Sequence, residues 1–272
     1  MASSSADVVT KEALVREHLE EGILRLTLAN PPANALSIAL MTELKAAIEQ
    51  AGRDPEVRVV ILRHDGKVFS AGHDLKEMQA RRSDPDGGRA FFAQTMELCA
   101  SLMLAIVTLP KPVIAAIDGI ATAAGCQLVA SCDLAVATAH ATFATPGVNI
   151  GLFCSTPMVA LSRNIPRKQA MEMLLTGEKM DAEQALSYGL INRVVERESL
   201  HDAVLQMARI VVAKSPLTLK IGKEAFYRQA EMSLEEAYRY TVQVMVENMM
   251  AQDAEEGIGA FIEKRDPKWS GR

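Results

Sequence analysis

Residues 112–139 read PVIAAIDGIATAAGCQLVASCDLAVATA, and this stretch constrains the fold more than any other. Pro112 to Ile117 is a continuous apolar run, the pattern of a strand buried on both faces. Asp118 to Gly125 follows as a run of mostly small residues, and Cys126 to Ser131 reads as an almost wholly apolar helix. Asp133 to Ala139 is the next strand. Strand, helix and strand at this interval predict β–α–β units, so the chain is read as α/β rather than all-helical.

The same succession extends upstream. Gly22 to Ala29 alternates apolar and polar residues as a half-buried strand should, and Asn30-Pro31-Pro32 stops it. Ser37 opens a helix through Leu40, Met41, Leu44, Ala47 and Ile48 that ends near Gly52, and Val57 to Leu62 is a β-branched strand. Arg81 to Arg89, polar and bearing glycine and proline, reads as a solvated charge cluster or a mobile surface loop before a long amphipathic helix, Phe91 to Val107. Beyond about Arg163 the pattern is of helices alone: Arg167–Thr176, Asp181–Tyr188, Leu200–Ala213, Leu217–Ala230, Ser233–Met250 and Ala254–Lys264. Ser233 and Glu236 give one of them a capping-box start, and its Val242, Met245 and Met249 form a stripe suited to core or subunit interface.

A hydrophobic share of 49% supports a substantial core, and 29 Lys+Arg against 34 Asp+Glu leave a net charge of -5. That balance argues against nucleic acid or an anionic membrane as the main partner. No apolar run approaches the about 20 residues of a membrane span. Met1 to Thr10 has neither a basic n-region nor an apolar h-region, which predicts a cytoplasmic protein with a short disordered leader. Cys99, Cys126, Cys132 and Cys154 form no C-x-x-C and have no His at ligand spacing, so buried free thiols are predicted and no metal site. Dinucleotide, P-loop, zinc-protease and nucleophile-elbow motifs are absent from the sequence.

Two small-residue turns remain to carry chemistry. The first N–H groups of a helix have no intrahelical partner, and with the helix dipole behind them they can hold an oxygen of developing negative charge. Ala123-Ala124-Gly125, after the strand at 112–117, fits this description, and Phe69 to Leu75 (FSAGHDL) is a second small-residue loop after a strand. Close backbone packing alone also explains either one.

Taken together and in this order, the turns resemble the enoyl-CoA hydratase/isomerase (crotonase) superfamily, from about Glu20 to Trp269. Further matching blocks are Pro32 to Leu36 (PANAL), Phe69 to Met78 (FSAGHDLKEM), Phe143 to Pro146 (FATP), Met171 to Gly177 (MEMLLTG), Ala185 to Val194 (ALSYGLINRV) and Ala260 to Arg265 (AFIEKR). The resemblance implies a crotonase-like spiral of β-β-α units with a C-terminal helical region that builds homotrimers, which can pair as hexamers. It divides the chain into a leader at 1–15, an α/β core at 16–200 and the helical region at 201–272. It implies an acyl-CoA thioester as ligand, with coenzyme A as part of the substrate and no separate cofactor. The thioester oxygen would lie between the backbone N–H groups of His73 and Ala124, with Ala71, His73, Asp74, Leu75 and Lys76 lining the substrate channel. Lys76, Arg81 and Lys264 would supply basic groups for the coenzyme.

Hydratases of this family use two glutamates, and the matching positions here are Gln127 and Gly147. An amide exchanges no proton near neutral pH and glycine has no side chain, while a general acid or base contributes typically about 10²–10⁴-fold. Efficient enoyl-CoA hydration is therefore not expected. Asp74 is expected to bond loop amides, Gln127 to bond either substrate or its neighbours, and the His73 imidazole either to point away or to add charge near the thioester. Cys154 reads as a packed thiol with a nucleophile as the alternative; Ser155 and Thr156 are polar groups beside it. Two functions stay open: an enzyme needing mainly the oxyanion pair, for decarboxylation, thioester hydrolysis or isomerisation with an unusual base, and a non-catalytic acyl-CoA-binding or regulatory protein.

Overall fold

The computed structural model describes residues 13–272. Residues 1–12 of the expected leader lie outside them, while the N–H groups of Leu14 and Val15 already donate to the Glu43 carboxylate at 2.8 and 3.2 Å.

The chain runs through β1 (Val15–Glu20), β2 (Ile23–Leu28), α1 (Ile38–Arg53), β3 (Val59–His64), β4 (Val68–Ser70), α2 (Leu75–Ala80) and α3 (Arg89–Thr108). It continues through β5 (Val113–Ile117), β6 (Ile120–Thr122), α4 (Ala124–Ser131), β7 (Leu134–Thr138), β8 (Thr142–Ala144), α5 (Ser155–Asn164) and α6 (Arg167–Thr176). The last elements are β9 (Met180–Asp181), α7 (Ala182–Tyr188), β10 (Arg193–Val195), α8 (Leu200–Val212), α9 (Pro216–Gln229), α10 (Leu234–Met249) and α11 (Gln252–Glu263).

The strands form two sheets, β1-β2-β3-β5-β7-β10 and β4-β6-β8-β9. From β2 to β10 the larger sheet is parallel, and so is β4-β6-β8 in the smaller. Each of β3, β5 and β7 is followed by a short strand that moves to the second sheet, so the chain alternates between sheets before each helix or turn. Side chains alternate across a strand. Accordingly Val60 and Leu62 enter the main core with α1, α3 and α4, while Val59 and Ile61 enter a second cluster with Val204, Met207 and Ala208 of α8. The expected division at 200/201 therefore falls at the first residue of a helix packed on the sheet.

Two expectations need correction. β1 was not anticipated: only Val15 of it is buried, so no hydrophobic alternation marks it, and an antiparallel hairpin creates it. Glu21 (φ 51°) and Gly22 (φ 76°) supply the positive-φ turn. The region beyond Arg163 is not helices alone, because β9 pairs with β8 and β10 with β7. Strands of two or three residues are too short to show a period. Of the two readings of the 81–89 segment, the solvated charge cluster is the one that fits: Arg81, Arg82, Asp86 and Arg89 are exposed, while Asp86 accepts from Gly88 and Ala90 N–H at 2.9 and 2.8 Å, and Arg81 and Arg82 lie over the Phe91 and Phe92 rings.

Helix α3 is long and apolar enough to cross a membrane by length and composition. Here its Cys99, Leu102, Met103 and Ile106 are buried in the main core, and it packs against α1 and α4. Helices α2 and α5 were not anticipated, while α6 to α11 begin and end within two residues of the sequence pattern. Glu236 accepts from the Ser233 N–H at 3.1 Å, the glutamate half of a capping box, and from its hydroxyl at 2.6 Å.

Candidate functional site

The loop after β4 is shaped by the segment before α1. Ala71 N–H donates to Ala33 O at 3.0 Å, and Leu36 N–H to Gly72 O at 2.8 Å. Asn34, buried and at φ 46°, donates from its amide to Asp65 O and Val68 O at 3.0 and 2.7 Å. The wholly buried Ser70 hydroxyl donates to Asn34 O at 2.8 Å and accepts the Gly72 N–H at 3.2 Å. Asp74 then caps α2, accepting from Lys76 and Glu77 N–H at 2.9 and 3.1 Å, which is the loop-amide role expected of it. Ala71, Leu75 and Lys76 are exposed on the rim.

The second turn is built on strain. Ala123 N–H donates to Ala144 O at 2.9 Å, and the residue holds φ 49°, ψ -121°, a conformation that costs a side-chain-bearing residue about 1–3 kcal/mol. This places the wholly buried Ala124 at the first position of α4, where its N–H has no turn behind it to accept it.

The two turns meet. Gly72 stands at φ 83°, and a Cβ there would lie 2.8 Å from Ala123 Cβ and 3.1 Å from Ala124 N. Thr122 Oγ1 donates to Ala71 O at 3.1 Å across the same junction. Among the described residues neither the His73 nor the Ala124 N–H has an acceptor. The His73 imidazole is held neutral, its pKa lowered by burial, and its buried Nε2 has no partner among the described residues. Of the two alternatives for this ring, added charge at the turn is thereby disfavoured.

Gln127 is buried on α4, its side-chain oxygen receiving a long contact from the Cys99 thiol at 3.8 Å. Gly147 is buried in the turn after β8, and a Cβ there would meet Cys154 Sγ and Leu152 O, each at 2.9 Å. The Cys154 thiol therefore occupies the space that a side chain at 147 would enter. Burial raises its pKa, and it also contributes, after burial, to raising the neighbouring Cys126 thiol to about 12. Helix α4, which carries Gln127, packs on α5, whose N-cap is Cys154. Ser155 begins α5 and bonds Phe153 O at 3.3 Å, Arg81 stacks on Phe91, and Lys264 closes α11. Among the described residues no three His, Cys, Asp or Glu side chains cluster as metal ligands.

Asn34, Ser70 and Thr122, which fix the junction, had no sequence signal beyond lying in or beside the blocks at 32–36, 69–78 and 112–133. Thr145, wholly buried with an unpartnered hydroxyl among the described residues, is a further polar group of this region that sequence reasoning missed.

Two sheets linked by repeated strand–strand–helix units, with two small-residue turns abutting at a helix N-terminus, define a crotonase-like α/β scaffold. Residues 18–272 match the enoyl-CoA hydratase/isomerase family, and the chain belongs to it. Enoyl-CoA hydratase domain-containing protein 3, mitochondrial, of Xenopus laevis is 48% identical over 252 residues, 92% of this chain and 84% of that protein. A carnitinyl-CoA dehydratase of Citrobacter koseri is 38% identical over 257 residues, 92% of this chain and 95% of its own length. The crystal structure of an enoyl-CoA hydratase from Mycobacterium smegmatis matches with TM-score 0.90 at 50% identity, covering 95% of this chain and 99% of that one. The cytoplasmic expectation is overturned here: the Xenopus relative and its vertebrate counterparts are named mitochondrial. A basic n-region and an apolar h-region mark a secretory signal, so their absence was the wrong basis for a compartment: mitochondrial addresses are instead amphipathic and rich in Arg and Ser.

Proposed function

We propose that the chain binds an acyl-CoA thioester with its carbonyl oxygen between the His73 and Ala124 N–H groups, and that it stabilises the enolate of that thioester while hydrating enoyl-CoA slowly. The observation that carries this reading is the seating of Gly72 against Ala124 N, at 3.1 Å for an added Cβ, with both N–H groups lacking an acceptor among the described residues. One such donor contributes about 3 kcal/mol to a transition state that places negative charge on the oxygen. Ala71, Leu75 and Lys76, exposed beside this junction, suit the channel through which the coenzyme would approach. The carnitinyl-CoA dehydratase relative, by its name, acts on a coenzyme A ester.

Slow hydration follows from the side chains. Gln127 can orient but not transfer a proton, and Gly147 offers nothing, its outward space taken by Cys154 Sγ. The raised pKa of Cys154 leaves little thiolate at neutral pH, which argues against a nucleophilic role. Incubation with crotonyl-CoA, methylmalonyl-CoA and a medium-chain acyl-CoA, followed by mass spectrometry, tests the reading. The expected result is crotonyl-CoA hydration at least about 10²-fold slower than in a two-glutamate enzyme, with loss of CO₂ or release of free coenzyme A from another thioester. Hydration at ordinary rates would overturn it, and tight thioester binding without any product would favour the non-catalytic reading instead.

A homotrimer, alone or paired as a hexamer, is part of the same proposal. Tyr238, Val242, Met245 and Met249 on α10, and Phe261 and Ile262 on α11, are exposed in the single chain, and large apolar side chains gathered on helix faces in this way suit a subunit interface. Sedimentation equilibrium is expected to give three or six chains; a monomer at micromolar concentration would refute it.

A further inference from the structure

On the face of the larger sheet opposite the main core, a cavity of about 310 Å³ opens beneath α8. Strand alternation builds it. Ile23 and Arg25, Ile61 and Arg63, and Ala116 and Asp118 stand two residues apart on one face, the first of each pair buried in the second cluster and the next polar. The seam between α8 and the sheet therefore ends in a charged layer above an apolar one. Ile61, Val204 and Leu205 supply the apolar lining.

The charges in this layer do not cancel. Asp118 pairs with Arg197 Nε at 2.9 Å, lies 2.8 Å from His140 Nε2 and accepts from Thr138 Oγ1 at 3.2 Å. Arg25 pairs with Glu20, yet its Nε is buried without a hydrogen-bond partner among the described residues. Arg63 makes no ion pair among the described residues. His64 adds no charge: burial above all, against the opposing pull of Asp118, lowers it to about 4, and its Nε2 accepts the Asp118 N–H at 3.0 Å. Three guanidinium groups thus face two carboxylates, leaving one positive charge beside an apolar pocket.

We propose that this cavity is a second ligand site, for a small monocarboxylate with an apolar body, its carboxylate on Arg63 and its hydrocarbon against Ile61, Val204 and Leu205. One uncompensated charge matches one carboxylate, whereas a dianion would bring an unpaired negative charge into the layer and phosphate has no group for the apolar wall. A chain of about six carbons is the scale such a volume accepts.

Calorimetric titration of the full chain with hexanoate, with inorganic phosphate as comparator, tests this. One saturable site per chain with Kd of about 1 mM or tighter is expected for hexanoate. Arg63→Gln is expected to weaken it about tenfold, the loss of one charge-assisted hydrogen bond, and Leu205→Trp to abolish it by filling the cavity. Both residues are partly exposed, and the Arg63 arm stands even where Leu205→Trp perturbs folding. Absence of saturable hexanoate binding, equal binding by both variants, displacement by crotonyl-CoA, or phosphate binding as tightly as hexanoate would each overturn the proposal. None of these outcomes depends on turnover at the thioester site.

Discussion

Gly125→Ala is expected to destabilise the protein by about 3 kcal/mol or more, at the upper end of the overpacking range. Inside an ordinary helix the same change stabilises, because alanine exceeds glycine by about 1 kcal/mol in helix propensity. The sign reverses here because the first turn of α4 lies flat on β4. An added Cβ would stand 2.3 Å from Ser70 O, 2.8 Å from Ser70 Cβ and 2.9 Å from Ser70 C. None of these atoms is the end of a flexible side chain. Ser70 is wholly buried, and its hydroxyl already bridges Asn34 O and Gly72 N, so the strand cannot yield without loosening the loop that carries His73. Helix α4 must back away instead, taking Ala124 with it. Urea unfolding measures the change directly; a loss under half a kilocalorie per mole would mean that the α4–β4 contact opens freely.

Gly72→Ala is expected to lower turnover of whichever thioester the protein processes by about 10²–10³-fold, the loss associated with one displaced oxyanion donor. Its Cβ would press on Ala123 Cβ at 2.8 Å and approach Ala124 N and Thr122 O at 3.1 Å, wedging the two turns apart. Part of any effect is backbone strain, since Gly72 holds φ 83°. Gly66→Ala separates the two causes: that residue holds φ 81° with nothing within 4 Å of a new Cβ. It should cost about 1–2 kcal/mol of stability from left-handed strain and leave turnover as it was. Equal turnover by wild type and Gly72→Ala would show that the two N–H groups do not act on one oxygen. For a protein that only binds, affinity for the thioester takes the place of turnover as the readout.

Much of this architecture is legible in the chain itself. The apolar run at 112–117, the helix behind it and the strand at 133–139 fix the β–α–β succession, because burial on both faces leaves no polar position in such a strand. Heptad-like spacing located α1, α3 and α6 to α11 to within a residue or two, and the block order from 32 to 265 identified the family. The expectation for Asp74 was equally local, since an aspartate before a helix bonds the next amides whatever surrounds it. By contrast β1, β6, β8, β9 and β10 carry no usable pattern. They are strands because a neighbour presents unpaired backbone groups, not because of their own side chains.

What the sequence determined alone is the period of each long element, the small residues that permit close approach, and the absence of a carboxylate at 127 and 147. Only the tertiary structure decided that Gly72 rests on Ala123, that Cys154 Sγ fills the space beside Gly147, and that Arg25, Arg63 and Arg197 gather round one cavity. Periodicity reports which face a side chain takes, and that is a local property of the backbone. Which partner arrives at that face is set by long-range packing, where residues far apart in sequence compete for the same volume.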